Sequence, residues 1–162
     1  MSTNAYAAKR AIIDRITAVA ALPGTPLSGQ NAAILYAWNG ATAKEITLYG
    51  GGVTFDQPEA DEAVDGERRR LVAETAHVGL HIRVARAPDP ATVDQIRTTD
   101  EMCEEIGDWL GDLLTREPRI AGGASKSRIL SGQGDYVPVE DKAVSRLSYV
   151  VEVTSHFPQP SS

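Results

Sequence analysis

The chain has 162 residues, 42% of them hydrophobic and 23% charged, with a formal charge of -6 at pH 7. That length buries a core in one domain without disulfide or metal staples, and that composition excludes wholesale disorder. The acidic balance argues against a protein that grips nucleic acid, which needs clustered cations to neutralise phosphates; the dense group of that kind is Arg68-Arg69-Arg70. The lone Cys103 cannot pair within the chain and falls in a helical pattern, predicting a buried thiol in a reducing compartment. Lys9, Arg10, Asp14 and Arg15 interrupt the N-terminal apolar positions. No signal-peptide core is therefore expected, and no run approaches the roughly 20 residues that span a bilayer.

Residues 4–21 place Ala5, Ala8, Ile12, Ile16 and Val19 at helical spacing, and Pro23-Gly24 ends the pattern. After a linker rich in Gly, Pro and Ser, Ile34, Tyr36 and Trp38 alternate with Ala33, Leu35 and Ala37. Asn39-Gly40 supplies a turn, and residues 45–49 resume as a strand, which predicts a β-hairpin. The run Gly50-Gly51-Gly52 predicts a sharp bend or bulge. Residues 56–67 carry six acidic side chains and little apolar content, and read as a solvated excursion ordered against a neighbouring subunit.

From Arg70 onward the chain alternates, with Val72, Ala76, Val78, Leu80, Ile82 and Val84 on one face and Leu71, Thr75, His77, Gly79, His81 and Arg83 on the other. At about 3.3 Å per residue this strand would span about 43 Å, against about 40 Å for a compact globule of this length. One end is expected to reach past its own core. Glu74 falls among the apolar positions, where an unpaired buried carboxylate is costly. This half of the strand is therefore placed outside the core, in water or at a subunit contact, with residues 76–84 as the buried half.

Pro88-Asp89-Pro90 breaks the strand and resembles a helix cap. A stripe of Ile96, Met102 or Cys103, Ile106, Leu110 and Leu113 then runs to about Arg116, although Thr98 with Glu101 forms a possible capping box that would divide the helix. Strands over 125–131 and 145–157 follow, and residues 158–162 form a loose tail. The expected fold class is α+β in a single domain over 1–157, a largely antiparallel sheet with a long central strand, packed by an N-terminal helix and a second helix before the last two strands.

No motif makes a catalytic centre. His77 and His81 lie about 13 Å apart on a strand, too far to share a zinc without other ligands. Gly123-Ala124-Ser125-Lys126-Ser127 lacks the second glycine of a nucleophile elbow, and Gly132-Gln133-Gly134-Asp135-Tyr136 lacks the setting of a dinucleotide fingerprint and reads as a tight turn. No cofactor or metal site is expected. Glu101, Glu105, Asp108 and Asp112 fall on one helix face, forming a negative stripe that is either a solvated outer face or the lining of a passage. Arg68, Arg69 and Arg70, with Glu74 and His77 on the long strand, are the candidate subunit-interface residues, opposite charges setting register between chains.

The element order, together with Tyr49-Gly50-Gly51-Gly52-Val53, the segment Asp65-Gly66-Glu67-Arg68-Arg69-Arg70-Leu71-Val72 and the ending Leu130-Ser131-Gly132-Gln133-Gly134-Asp135-Tyr136, resembles small tail-terminator or head-to-tail joining proteins of long-tailed phages, particularly those infecting actinobacteria. The similarity covers nearly the whole chain. It implies a virion structural protein assembled in the host cytoplasm. The implied assembly is a hexameric homo-oligomer that caps the tail tube, offers a surface to the head connector and lets DNA pass without specific binding. Other readings remain open at this point. One is a head-completion or neck protein with the same ring symmetry; another is a small-ligand-binding or enzymatic α+β domain using His77, His81 or Tyr136.

Overall fold

A computed structural model describes residues 3–40, 44–57, 71–86, 92–116, 126–139 and 142–158. The order is α1 (Ala5–Ala20), β1 (Ala32–Leu35), β2 (Ile46–Asp56), β3 (Leu71–Arg86), α2 (Val93–Arg116), β4 (Lys126–Val139) and β5 (Lys142–Pro158). The strands form one sheet in the order β1-β2-β3-β5-β4, antiparallel throughout except for the β1–β2 pair. This is the expected α+β architecture with a long strand at the centre of the sheet.

Period-two alternation in β3 sends Ala76, Val78, Leu80, Ile82 and Val84 to one face, each at most 2% exposed. Both helices cover that face: Ile12, Ile13 and Ile16 of α1 and Cys103, Ile106, Leu110 and Leu114 of α2 join the β3 residues in a single core cluster. In α1 the buried stripe runs through Ile13 and Ala20, while Val19 is only half-buried. The opposite face of the sheet carries no helix among the described residues.

β3 pairs with β5 along its full length, from Leu71↔Pro158 to Arg86↔Ala143, and with β2 only from Thr75 to Val84. The long strand therefore does not project alone: β5 accompanies it to its beginning, and Pro158 belongs to the sheet rather than to a tail. Residues 159–162, assigned to that tail, and most of the acidic excursion lie outside the described residues.

The expected hairpin over residues 32–49 is overturned, because β1 and β2 run parallel, from Ala32↔Ile46 to Leu35↔Tyr49. β2 starts at the level at which β1 began, where the Ile46 N–H donates to the Asn31 carbonyl at 3.1 Å. A parallel return usually takes a dozen or more residues; a four-residue β1 makes a shorter one sufficient. Tyr36 and Trp38, whose alternation resembles a strand, anchor this return: Trp38 lies 5.4 Å from the Tyr49 ring, and the Lys9 ammonium sits 4.1 Å over the Tyr36 ring. Gly40 has φ +85, as the turn reading required, but the turn serves a loop and not a hairpin.

The triple glycine does form a bulge, between Gly50 and Val53. α2 is undivided. Its start is fixed by Thr92 and Gln95, where the Gln95 N–H donates to Thr92 Oγ1 at 3.2 Å and the Thr92 N–H to Gln95 Oε1 at 2.8 Å, a reciprocal capping box. Thr98, read as a possible cap, instead donates its hydroxyl to the Asp94 carbonyl inside the helix; Asp89 and Pro90 lie outside the described residues. The tight turn expected over 132–136 is strand, with β4 continuing to Val139, which pairs with Lys142. Gly132 is there because Tyr149 of β5 lies across it: a Cβ on Gly132 would approach Tyr149 Cε1 to 2.8 Å.

Candidate functional site

Glu74 is 1% exposed, so the expectation that it stands in water is overturned. The cause is α1. Glu74 Oε1 accepts the backbone N–H of Asn4 at 3.0 Å and Oε2 accepts the Gln57 amide at 2.7 Å. Asn4 occupies the N-cap position of α1 without making a side-chain cap, and the first turn of that helix contains no acidic residue. Glu74 supplies both missing elements from another strand, an acceptor for an orphan N–H and a negative charge at the positive end of the helix dipole. So enclosed, it offers little surface to a neighbouring subunit.

Glu101, Glu105, Asp108 and Asp112 are all exposed on α2, while Cys103, Ile106, Leu110 and Leu114 face the sheet. Asp94 and Glu104 extend the negative surface, and Arg97 meets it at one end, 3.0 Å from Asp94 and 4.0 Å from Glu101. Cys103 is buried, as its helical setting required, and burial with Asp100 nearby pushes its thiol up to about 12. It is not a nucleophile at neutral pH.

The helix-free face of the sheet is ordered in cross-strand rows. In one, Tyr49 stacks on His81 at 4.9 Å and His81 Nδ1 lies 2.8 Å from Ser148 Oγ. A second is closed by Arg146, which donates to both carboxylate oxygens of Asp135 at 2.9 and 2.8 Å, with the Arg83 guanidinium 5.1 Å over the Trp38 ring at its other end. In a third, Glu152 receives His77 at 3.3 Å and Arg128 at 2.8 Å. Tyr49, His81, Gln133, Asp135, Arg146 and Ser148 enclose a polar hollow of about 320 Å³. Burial, with Arg146 second, lowers the His81 pKa, so the ring is neutral at pH 7. Its Nε2 occupies the space that a Cβ on Gly51 would need, so the imidazole lies across the glycine bulge. His77 and His81 thus join different rows and serve different partners. Among the described residues no group of three His, Cys, Asp or Glu side chains is arranged to hold a metal ion.

The margins of the sheet form the fourth feature. β1 covers β2 only over Ile46–Tyr49, so among the described residues the outer edge of β2 has no strand partner from Val53 to Asp56; β4 is the opposite margin, with β5 as its sole described strand neighbour. Phe55 on the first margin is 40% exposed and Leu130, left unpaired in a bulge on the second, is 48% exposed. Sequence reading did not single out these margins, because the parallel β1 that leaves β2 half-covered was itself read as a hairpin partner. Arg68, Arg69 and Arg70, the other candidate interface residues, lie outside the described residues.

No protein-family model matches this chain, and no curated protein matches it in sequence. No helix of the described residues is long and apolar enough to cross a membrane.

Proposed function

We propose that this chain is a structural protein of a long-tailed phage virion, a tail terminator whose copies form a hexameric ring that caps the tail tube and joins it to the head connector. The observation that carries the reading is the pair of strand margins at opposite ends of one sheet, Val53–Asp56 and β4, each with a half-exposed apolar side chain. A ring needs two different patches on every copy that meet head to tail around a closing rotation. One protomer carries two such patches of complementary kind.

The acidic outer face of α2 suits a passage for DNA. Glu101, Glu105, Asp108 and Asp112 facing the channel would repel phosphates over a Debye length of about 8 Å at physiological salt and keep the genome mobile. The resemblance in element order and in the Tyr49–Val53 and Leu130–Tyr136 segments supplies the station in the virion.

Native mass and electron microscopy of the purified protein test the assembly. A closed ring is expected, and a strict monomer that turns over a small substrate would replace this reading with an enzymatic one. Microscopy of virions carrying a labelled copy tests the station: label at the head-proximal end of the tail tube is expected, whereas label on heads lacking tails would make the chain a head-completion protein.

A further inference from the structure

The sheet is level from one margin to the other. Asp56 pairs with Thr75, Thr75 with Thr154 and Thr154 with Lys126, so a single cross-strand row ends in an exposed carboxylate at one margin and an exposed ammonium at the other. The next rows run Phe55–Ala76–Val153–Ser127, Thr54–His77–Glu152–Arg128 and Val53–Val78–Val151–Ile129. Beyond them both margins break pairing at the same level, β2 in the glycine bulge between Gly50 and Val53 and β4 in the bulge at Leu130.

We infer that copies of this chain join by strand addition, Lys126–Ile129 at the start of β4 pairing antiparallel with Val53–Asp56 at the end of β2 in the next copy. This rests on the self-assembly half of the proposed function and specifies its contact. Within one protomer β4 runs antiparallel to β2, because three antiparallel pairings separate them. A rotation about an axis along the strands preserves that direction, and in the register without stagger each row meets its own continuation.

That register sets the following pairs. Lys126 stands opposite Asp56, Ser127 opposite Phe55, Arg128 opposite Thr54 and Ile129 opposite Val53, every pair on matching faces of the sheet. The charged pair orients the contact, Phe55 and Ile129 lie together on the helix-covered face, and beyond the two bulges, which bend their strands, the copies have to splay apart, because β1 holds the edge of β2 over Ile46–Tyr49 while β4 continues to Val139. Unpaired strand margins are templates for such pairing, and a second copy fits both because it brings the opposite charge at the matching level.

The test is a chain carrying both Asp56→Cys and Lys126→Cys. Directly opposite residues in an antiparallel pair have Cβ atoms about 4.5–5.5 Å apart, near enough for a disulfide after small movement. Within one copy the two positions are separated by three strand spacings, about 14 Å, and cannot bond. Cys103 is buried and stays out of the reaction. Mild oxidation is expected to give a covalent ladder that stops at the ring number, while either cysteine alone gives no ladder. Lys126→Glu is expected to reduce the oligomer and Asp56→Lys in the same chain to restore it. Oligomers of the wild-type chain with neither ladder nor charge rescue would overturn this contact and leave self-assembly standing. A wild-type chain that stays monomeric at every concentration would overturn both.

Discussion

Glu74 and Asn4 stand 70 residues apart in sequence and 3.0 Å apart in space, a β3 carboxylate accepting the backbone N–H of the N-cap residue of α1. The contact ties the N-terminal helix to the central strand at the end where β2 no longer flanks that strand. Removing the side chain in Glu74→Ala takes the acceptor from both Asn4 and Gln57. A loss of about 1–3 kcal/mol is expected, the worth of hydrogen bonds to a charged group, while Glu74→Gln, which keeps one acceptor oxygen, should lose less. Urea unfolding midpoints of the two variants check this; equal midpoints would refute the capping role.

Tyr149 is clamped between helix and sheet. Its hydroxyl lies where a Cβ on Gly107 of α2 would stand, and its ring covers Gly132. Alanine in place of glycine within a helix ordinarily stabilises by roughly 1 kcal/mol. Gly107→Ala is expected to destabilise instead, by about 1–3 kcal/mol of overpacking, and Tyr149→Phe in the same chain should recover part of the loss. A thermal-melt double-mutant cycle with no coupling would contradict the clamp.

Acid weakens the helix-free face in a definite direction. Hydrogen bonds from Arg128 and then His77 outweigh desolvation and lower the Glu152 pKa from its ordinary 4.5. A carboxylate depressed on folding contributes stability that is present above its unfolded pKa and lost as pH falls through the folded value. The contribution should therefore fade below about pH 4.5 and be absent from Glu152→Gln. Stability measured from pH 6 to pH 3 should thus fall less steeply for the variant; parallel curves would argue against the pairing.

Exposed charges on α2 contribute little to folding. Replacing Glu101, Glu105, Asp108 and Asp112 by lysine is expected to leave the melting temperature within a few degrees and the assembly intact, since each side chain is exposed. In virions the same substitutions should slow genome ejection by making the passage attractive to phosphates. Unchanged ejection from intact particles would remove the stripe from the channel.

What the sequence discloses depends on whether the cause of a structure lies nearby in the chain. The alternation of β3 and the stripes of α1 and α2 are local, and so is the helical setting of Cys103; most of these positions read directly into the core, while Val19, Ile96 and Leu113 are only half-buried and Leu114 takes the core place expected of Leu113. Glu74 is opaque because its partner Asn4 belongs to another element, and cost alone argued for keeping it in water. Gly132 looks like a turn until Tyr149 is placed across it. Trp38 and Tyr36 alternate as a strand would, yet act as anchors of a return loop, because a parallel partner leaves no period in the sequence. The acidic face of α2 was legible as a stripe, whereas the bare margins of the sheet emerge only from strand order.

Self-assembly into a closed ring is the central claim, and electron microscopy of the purified chain tests it most directly. Annular particles with six-fold symmetry and a central opening are the expected result. Single compact particles of one-chain mass at every concentration would contradict it.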